Sequence, residues 1–120
     1  MPKILIIEDE VSIRRVLTKI LLEESDTYIV EEAEDGKIGF ETIKNEDYDL
    51  VLCDIKMPKM DGMECAEKIR ALADPKKSKI PIVAITGNAR NYTMEEFKKV
   101  GINEYLPKPL NFDSLVETVK

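Results

Sequence analysis

The sequence predicts a doubly wound α/β domain, a (βα)5 chain whose five parallel strands lie in the order 2-1-3-4-5. Short apolar runs alternate along the chain with longer segments in which apolar residues recur at helical spacing. Near-continuous apolar strands are typical of parallel sheets that helices cover on both faces. Right-handed crossovers then put the switch point of the fold between the first and third strands, where such sheets bind ligands.

The first half of the chain supplies two strands and two helices. The apolar run of residues 3–7 ends in three acids, Glu8, Asp9 and Glu10. In the helix that follows, apolar side chains recur at i, i+3, i+4, i+7 and i+8 from Ile13 onward, with charged residues between them. The remaining elements are a weaker strand over residues 28–33, a turn at Asp35-Gly36 and a short helix over residues 37–45.

The second half is organised around residues 50–54, a buried run that ends on Asp54. A charged residue at the tip of a buried strand is costly unless it has a function there. A helix over 63–73, a solvated connector over 74–79 and a second buried strand over 80–85 follow. The chain ends with a polar helix over 92–100, a short strand over 103–106 and a helix that begins at Asn111 or Phe112.

Composition limits the chemistry that this domain can perform. The chain has 120 residues, which is enough for one domain. It has no histidine, so general bases, nucleophile systems and metal sites that use histidine are excluded. Its net charge of −6 argues against direct binding of nucleic acid. We expect a cytoplasmic protein without membrane contact, because no apolar run approaches the roughly 18 residues of a membrane span and no signal peptide precedes the first strand.

Three carboxylates are predicted to meet at the switch point, since Glu8 and Asp9 follow the first strand and Asp54 ends the third. Crowded carboxylates repel one another, and a divalent cation relieves that repulsion. An oxygen-only set without His or Cys suits Mg²⁺, or Mn²⁺, better than Zn²⁺. A carboxylate in such a site can also act as a nucleophile and form an aspartyl phosphate.

Two further groups come from the ends of other predicted strands. Lys108, after the last strand, can offer an ammonium to phosphoryl oxygens, and Thr86, after the fourth, can offer a hydroxyl donor. A nucleophile, a metal, a cation and a hydroxyl are what phosphoryl transfer requires, because it depends mostly on positioning and charge neutralisation. Cys53, by contrast, lies within a buried strand pattern and is expected to be a core residue.

With these residues the chain resembles the receiver domain of two-component response regulators, which have a flavodoxin-like, CheY-like fold. The resemblance covers essentially all of residues 1–120 as a single receiver domain. The final helix stops early for the family, so we expect a chain excised from a longer protein, with its effector domain unknown. The resemblance rests on four motifs in order: Glu8-Asp9, Asp54-x-x-Met57-Pro58-x-Met60-Asp61-Gly62, Thr86, and Tyr105-Leu106-x-Lys108-Pro109.

The resemblance implies roles for the matched residues at the acidic end of the sheet. Asp54 accepts a phosphoryl group from a sensor histidine kinase or a histidine phosphotransfer protein. Asp9 and Asp54 ligate Mg²⁺ directly, Glu8 acts through water, and the backbone carbonyl of Lys56 is a further ligand. Lys56 and Asn88 also occupy positions that the family uses to tune dephosphorylation.

The remaining roles concern the response to phosphorylation. By resemblance, Lys108 pairs with the phosphate, and its peptide bond to Pro109 is expected to be cis. Thr86 is the switch hydroxyl, and Tyr105 is the aromatic residue that turns inward when Thr86 moves. The helix over 92–100, the last strand and the final helix then form the output face, through which phosphorylated copies can dimerise.

The resemblance also implies a docking surface for the kinase. It consists of the first helix, where Ile13, Arg14, Arg15 and Leu17 lie beside the crevice, and the loop over residues 110–112. The spacing of Ile13 and Leu17 also fits packing in the core.

Other functions fit part of the pattern. A Mg²⁺-dependent phosphatase with an aspartyl-phosphate intermediate would resemble Asp-x-Asp, but the second acid is replaced by Lys56. A nucleotide- or flavin-binding module would need a glycine-rich or hydroxyl-rich loop after the first strand, where acids stand instead. A degenerate receiver, which binds partners without phosphorylation, would not need the complete set of acidic and cationic residues.

Each motif residue also has an ordinary structural interpretation. The acids after the first strand can stabilise a helix N-terminus. Asp54 can be a cap, Lys108 a surface lysine and Tyr105 a half-buried strand aromatic. Asp61-Gly62 is interpreted as a turn without a chemical role.

Overall fold

In the computed structural model, which describes residues 3–24, 27–55, 60–86 and 94–107, the strands form one sheet in the order β2-β1-β3-β4-β5. All four neighbouring pairs are parallel, so the predicted topology is confirmed. The strands are β1 (Lys3–Ile7), β2 (Ile29–Ala33), β3 (Leu50–Asp54), β4 (Ile82–Thr86) and β5 (Glu104–Pro107). The helices are α1 (Val11–Glu24), α2 (Gly36–Asn45), α3 (Gly62–Arg70), α4 (Pro75–Ser78) and α5 (Met94–Lys99).

Each face of the sheet carries its own apolar core, because successive side chains of a strand point to opposite faces. On β1, Leu5 and Ile7 pack in one cluster, whereas Ile4 and Ile6 pack in the other. Side chains of α2, α3 and α5 complete the first cluster, and side chains of α1 complete the second. After Lys3, every residue of this strand is apolar, because both faces of the strand are buried over residues 4–7.

The connector predicted over residues 74–79 is partly wrong, because it contains the helical turn α4. Asp74 caps this turn by accepting a hydrogen bond from the backbone N–H of Lys76 at 2.9 Å, and Pro75 occupies the first turn. Asp at the cap followed by Pro is a start signal for a helix, since proline lacks the N–H that would stay unpaired there.

The other boundaries differ by a few residues. β4 begins at Ile82 instead of residue 80. The intervening Pro81 has no N–H to donate, although its carbonyl accepts from the N–H of Val51 at 2.9 Å. α3 ends earlier than predicted, at Arg70. The predicted final helix lies outside the described residues.

Candidate functional site

The carboxylates of Glu8, Asp9 and Asp54 converge at the carboxyl ends of β1 and β3. One oxygen from each of the three lies within 4.8 Å of the others. The register explains this convergence, because Ile7 on β1 pairs with Cys53 on β3. The residues that follow this pair in the chain are Glu8 and Asp54. Glu8 and Asp54 are buried, whereas Asp9 is exposed. The structure thus brings together the three acids that the sequence predicts at the switch point.

The backbone of this site is held by bonds from neighbouring strands. The N–H of Glu8 donates to the carbonyl of Ala33 on β2 at 3.1 Å. Asp54 pairs with Ile85 on β4, and the N–H of Ile55 donates to the carbonyl of that residue at 3.1 Å. Backbone hydrogen bonds therefore hold Glu8, directly after β1, and Asp54, at the end of β3, at the edge of the sheet.

A buried arginine supports the loop between β1 and α1. The Nη1 group of Arg14 donates to the carbonyl of Glu8 at 2.9 Å, and its Nε donates to Oε1 of Glu32 at 2.8 Å. The prediction that Arg14 and Leu17 belong to the kinase docking surface is wrong, whereas the alternative that Leu17 packs in the core is confirmed. Leu17 is completely buried and the Arg14 side chain is only 11% exposed, because both lie on the side of α1 that faces the sheet.

The return from β3 to α3 depends on glycine at position 62. The N–H of Gly62 donates to the carbonyl of Ile55 at 3.0 Å, and Asp61 caps α3 by accepting from the N–H of Glu64 at 2.9 Å. A β-carbon on Gly62 would lie 2.5 Å from the carbonyl oxygen of Asp54. Asp61-Gly62 is therefore the start of α3 and not the separate turn that the sequence suggested, and the glycine allows α3 to approach Asp54 closely.

A second glycine, Gly36, lies against the backbone of Met60, shortly before α3. A β-carbon on Gly36, at the start of α2, would overlap the backbone carbonyl of Met60. The sequence suggested a turn at this glycine but gave no sign of the contact, because the two residues are distant in the chain. The close approach packs the N-terminus of α2 against the segment that follows β3.

The protein has two buried free thiols, and one of them, Cys53, directly precedes Asp54 of the acidic cluster. Cys53 is buried, as predicted, and its Sγ donates to the carbonyl of Asp54 at 3.4 Å. The hydrogen bond with Cys65, together with burial, raises the pKa of the Cys53 thiol well above its usual value. Cys53 therefore stays a neutral core thiol at physiological pH and contributes no further charge to the site.

The predicted switch residues, Thr86 and Tyr105, lie on β4 and β5, which are on the opposite side of β3 from β1. Thr86 is the last residue of β4 and pairs with Pro107, while Tyr105 pairs with Ala84. The Tyr105 side chain is on the surface, with the residue 38% exposed, and its ring centroid lies 5.4 Å from that of Phe97 on α5. Phe97, which the sequence analysis did not single out, is fully buried and connects β5 with α5 through this ring contact.

Several predicted site residues lie outside the described residues. Lys108 follows directly after β5 in the sequence, and its predicted cis peptide bond to Pro109 belongs to the same part of the chain. The predicted docking loop over residues 110–112 is also outside. Lys56, with its predicted metal-ligating carbonyl, and Asn88 fall in two other ranges that are not described.

The acidic cluster fits a hard divalent cation. Its three candidate ligands are carboxylate oxygens, the donors that Mg²⁺ and Mn²⁺ prefer, and two of the three side chains are buried. Bringing like charges together in a site with little water is unfavourable without an opposite charge. The chemistry of the donor set therefore matches the metal that the sequence predicts.

No helix in the described segments is both long enough and apolar enough to cross a lipid bilayer.

The chain is similar to known proteins over almost its whole length. A family model for the response regulator receiver domain matches residues 4–120. The transcriptional regulatory protein ZraR of Escherichia coli is 34% identical over 117 residues, which cover 98% of this chain and 25% of ZraR. The chemotaxis protein CheY-3 of Vibrio cholerae is 34% identical over 115 residues, which cover 96% of this chain and 86% of that protein. The chain thus spans a quarter of one relative and most of the other.

Solved structures agree with these relatives. The crystal structure of the response regulator TrrA from Thermotoga maritima, in complex with Mg²⁺-BeF, is 34% identical and has a TM-score of 0.84. The likeness covers 99% of this chain and 96% of that one, which confirms the predicted CheY-like fold. Because the family match is nearly complete and sequence and structure agree on it, the chain belongs to the receiver domains of two-component response regulators.

Proposed function

We propose that residues 1–120 act as a single phosphoacceptor module in which Asp54 receives a phosphoryl group from a phosphohistidine. The donor is a sensor histidine kinase or a histidine phosphotransfer protein. The observation that carries the proposal is the convergence of Asp54, at the end of β3, with Glu8 and Asp9 within 4.8 Å. Such an edge of a doubly wound sheet is where ligands bind.

The proposed step is a simple displacement at phosphorus. A carboxylate oxygen of Asp54 attacks the phosphorus atom, the bond between phosphorus and the histidine nitrogen breaks, and the imidazole leaves with its electron pair. The product is an acyl phosphate on Asp54. A water molecule later attacks the same phosphorus atom, which releases inorganic phosphate and regenerates the carboxylate.

This chain contributes mainly the position of the nucleophile. The backbone of Asp54 is paired with β4, and Gly62 lies against its carbonyl oxygen, so the carboxylate has a defined direction of attack. Asp54 is 4% exposed, and in such a buried site electrostatic interactions are stronger than in water.

The residues proposed to hold the metal are Glu8, Asp9 and Asp54, with the Lys56 carbonyl added by the family resemblance. Bound Mg²⁺ would offset the charges of these carboxylates and of the phosphoryl oxygens. The TrrA structure in complex with Mg²⁺-BeF supports this assignment. Lys108 is proposed to supply a further positive charge to the phosphoryl group.

We further propose that the module acts only on itself and has no separate substrate. A phosphatase with the same nucleophile would need a general acid two residues later, and Lys56 stands there. The chemistry would then be limited to transfer onto Asp54 and hydrolysis of the resulting acyl phosphate.

The response is proposed to pass from Thr86 to Tyr105 and so to the surface of α5, β5 and the helix that the sequence predicts after β5. The sheet supports this route, because β4 and β5 are adjacent and Thr86 lies two residues beyond the partner of Tyr105. The exposed Tyr105 ring contacts the buried Phe97 ring at a tilted angle, and the tyrosine can leave this contact without opening the core.

The test is intact-mass measurement after incubation with acetyl phosphate, with and without Mg²⁺. We expect one phosphoryl adduct in wild-type protein, dependent on Mg²⁺ and absent from Asp54→Asn. Asp61→Asn is the matched control, because it makes the same substitution at an exposed acid that caps α3, and Asn also caps helices. An adduct that persists in Asp54→Asn, or no adduct in folded wild-type protein, would refute the proposal.

A further inference from the structure

We infer that Arg14 is a positioning residue that fixes the peptide group between Glu8 and Asp9 and thereby sets the Mg²⁺ affinity of the acidic cluster. This inference rests on the metal site of the proposed function. Arg14 lies in the first half of α1 and makes no contact with the cluster carboxylates among its described hydrogen bonds. Its influence on the metal would pass through the backbone.

The geometry of the peptide explains how this influence arises. The carbonyl that accepts from Arg14 Nη1 at 2.9 Å belongs to the same planar group as the N–H of Asp9. A bond to that carbonyl therefore restrains the backbone torsions on both sides, at Glu8 and at Asp9. Since the N–H of Glu8 is already tied to Ala33, the residue is anchored at both of its peptide groups.

Glu32 holds the guanidinium itself. Its Oε1 accepts from Arg14 Nε at 2.8 Å, and the Arg14 backbone N–H is anchored in turn to the carbonyl of Glu10 at 3.0 Å. The side chain thus spans three elements, β2, the loop after β1, and α1. With its planar fork of donors, arginine can reach two acceptors at once, whereas a lysine ammonium at the same position cannot hold the same geometry.

The ion pair with Glu32 makes it possible to distinguish a geometric role of Arg14 from a purely electrostatic one. The ion pair of Arg14 with Glu32 has no net charge, so removing the arginine alone adds a negative charge near the cluster, which by itself would favour cation binding. Loss of positioning would weaken cation binding instead. The two effects have opposite signs, and the direction of the change identifies which one dominates.

The experiment is a calorimetric Mg²⁺ titration of wild type, Arg14→Met, Arg14→Lys and Lys19→Met at fixed ionic strength, without a phosphodonor. Loss of a group that orients a metal ligand usually lowers affinity by about tenfold or more, so we expect the Kd of Arg14→Met to rise about tenfold. Lys19→Met removes one exposed positive charge from the same helix, and its Kd should change by less than about twofold. Arg14→Lys should resemble Arg14→Met, because it keeps the charge but not the paired geometry.

Two further measurements separate positioning from simple stabilisation. The amide resonance of Asp9 should shift in metal-free Arg14→Met and stay in place in Lys19→Met, and urea unfolding verifies that each titrated variant is folded. Glu32→Gln serves as a second variant, since it keeps the arginine but weakens its anchor, and we expect an intermediate Kd. Wild-type Mg²⁺ affinity in folded Arg14→Met, or in Glu32→Gln if the first variant does not fold, would overturn the inference.

Failure of the proposed function would look different. Wild-type protein that binds Mg²⁺ but gains no phosphoryl adduct would refute the assignment of Asp54. A tenfold loss of affinity in Arg14→Met would support the positioning role in either case.

Discussion

Gly62 lies directly against the backbone of Asp54, and a β-carbon at position 62 would come within 2.5 Å of the Asp54 carbonyl oxygen. The next atom that it would meet is the α-carbon of Ile55 at 2.9 Å. Both are backbone atoms of the strand end and cannot rotate away as a side chain could. The position of α3 is therefore coupled to the position of the proposed phosphoacceptor.

The first prediction concerns this contact. Gly62→Ala should lower the free energy of unfolding by roughly 1–3 kcal/mol, because inserting a methyl group into a packed site forces the backbone to move. It should also slow phosphorylation of the folded protein by acetyl phosphate, since the carbonyl that moves belongs to Asp54. Urea unfolding and timed intact-mass measurements give the two quantities.

Gly39→Ala is the matched control for this substitution. The three atoms nearest to its β-carbon would all belong to the side chain of Ile7, so stability should fall while the phosphorylation rate of the folded fraction stays unchanged. An equal slowing in both variants would mean that Gly62 has no special relation to Asp54.

The second prediction concerns metal binding and stability. A ligand that binds only the folded state stabilises it by about 2.7 kcal/mol when its concentration is a hundredfold above Kd. Mg²⁺ should therefore raise the melting temperature of wild type, and this effect should be greatly reduced in Asp9→Asn. Glu10→Gln removes the adjacent exposed acid, which is not part of the cluster, and should respond to Mg²⁺ as wild type does. Equal responses of the two variants would contradict the assignment of Asp9.

The third prediction concerns the proposed relay. Phosphorylation should change the amide chemical shifts of Tyr105 and Phe97, because these residues, whose rings are in contact, belong to β5 and α5 of the proposed output surface. In Thr86→Val the phosphoryl adduct should still form, but these two shift changes should become much smaller. Thr42→Val, which removes a hydroxyl bonded within α2, should leave them intact. Full shift changes in phosphorylated Thr86→Val would exclude the threonine from the relay.

The fourth prediction concerns alkaline pH. The pKa values of Cys53 and Tyr48 are both raised in the folded protein, that of Cys53 by its hydrogen bond with Cys65 and by burial, that of Tyr48 by burial and by Glu31 and Glu46. Below their unfolded values of about 9.0 and 10.0, both groups are protonated in the folded and unfolded states, so the stabilisation is complete. Above those values only the unfolded chain loses the protons, and the free energy of unfolding falls as pH rises.

Urea unfolding between pH 8 and pH 11 should therefore show a decline that begins near pH 9 and steepens near pH 10, approaching about 1.4 kcal/mol per pH unit for each group. Cys53→Ala should remove the first part of the decline, and Tyr48→Phe the second. A wild-type stability that stays constant up to pH 11 would be inconsistent with the raised pKa values.

The sequence was sufficient for the strand order and for the meeting of Glu8 with Asp54. Both follow from general rules, since parallel strands put their carboxyl ends at one edge and the switch point brings β1 beside β3. Strand boundaries were less predictable where burial and hydrogen bonding disagree. Ile80 is buried like a strand residue, yet Pro81 cannot donate to the ladder, and the strand begins only after it.

The supporting residues could not be predicted in the same way. In the sequence, Arg14 interrupts the apolar pattern of α1 and has the character of a surface residue. Its burial depends on its ion pair with Glu32, which lies on β2. The contacts of Gly36 and Gly62 likewise depend on atoms brought close by the fold. A single sequence contains local signals for caps and turns, but it does not contain the distances between elements that decide these roles.

The location of Asp54 on β3 has a consequence for how the domain can report its modification. β3 is the middle strand of five and is buried along nearly its whole length. Amide hydrogens in such strands generally exchange with solvent only when the whole protein unfolds. A charge added at the tip of this strand would therefore leave the strand itself protected, and hydrogen exchange should change in the loops and helix ends around that tip.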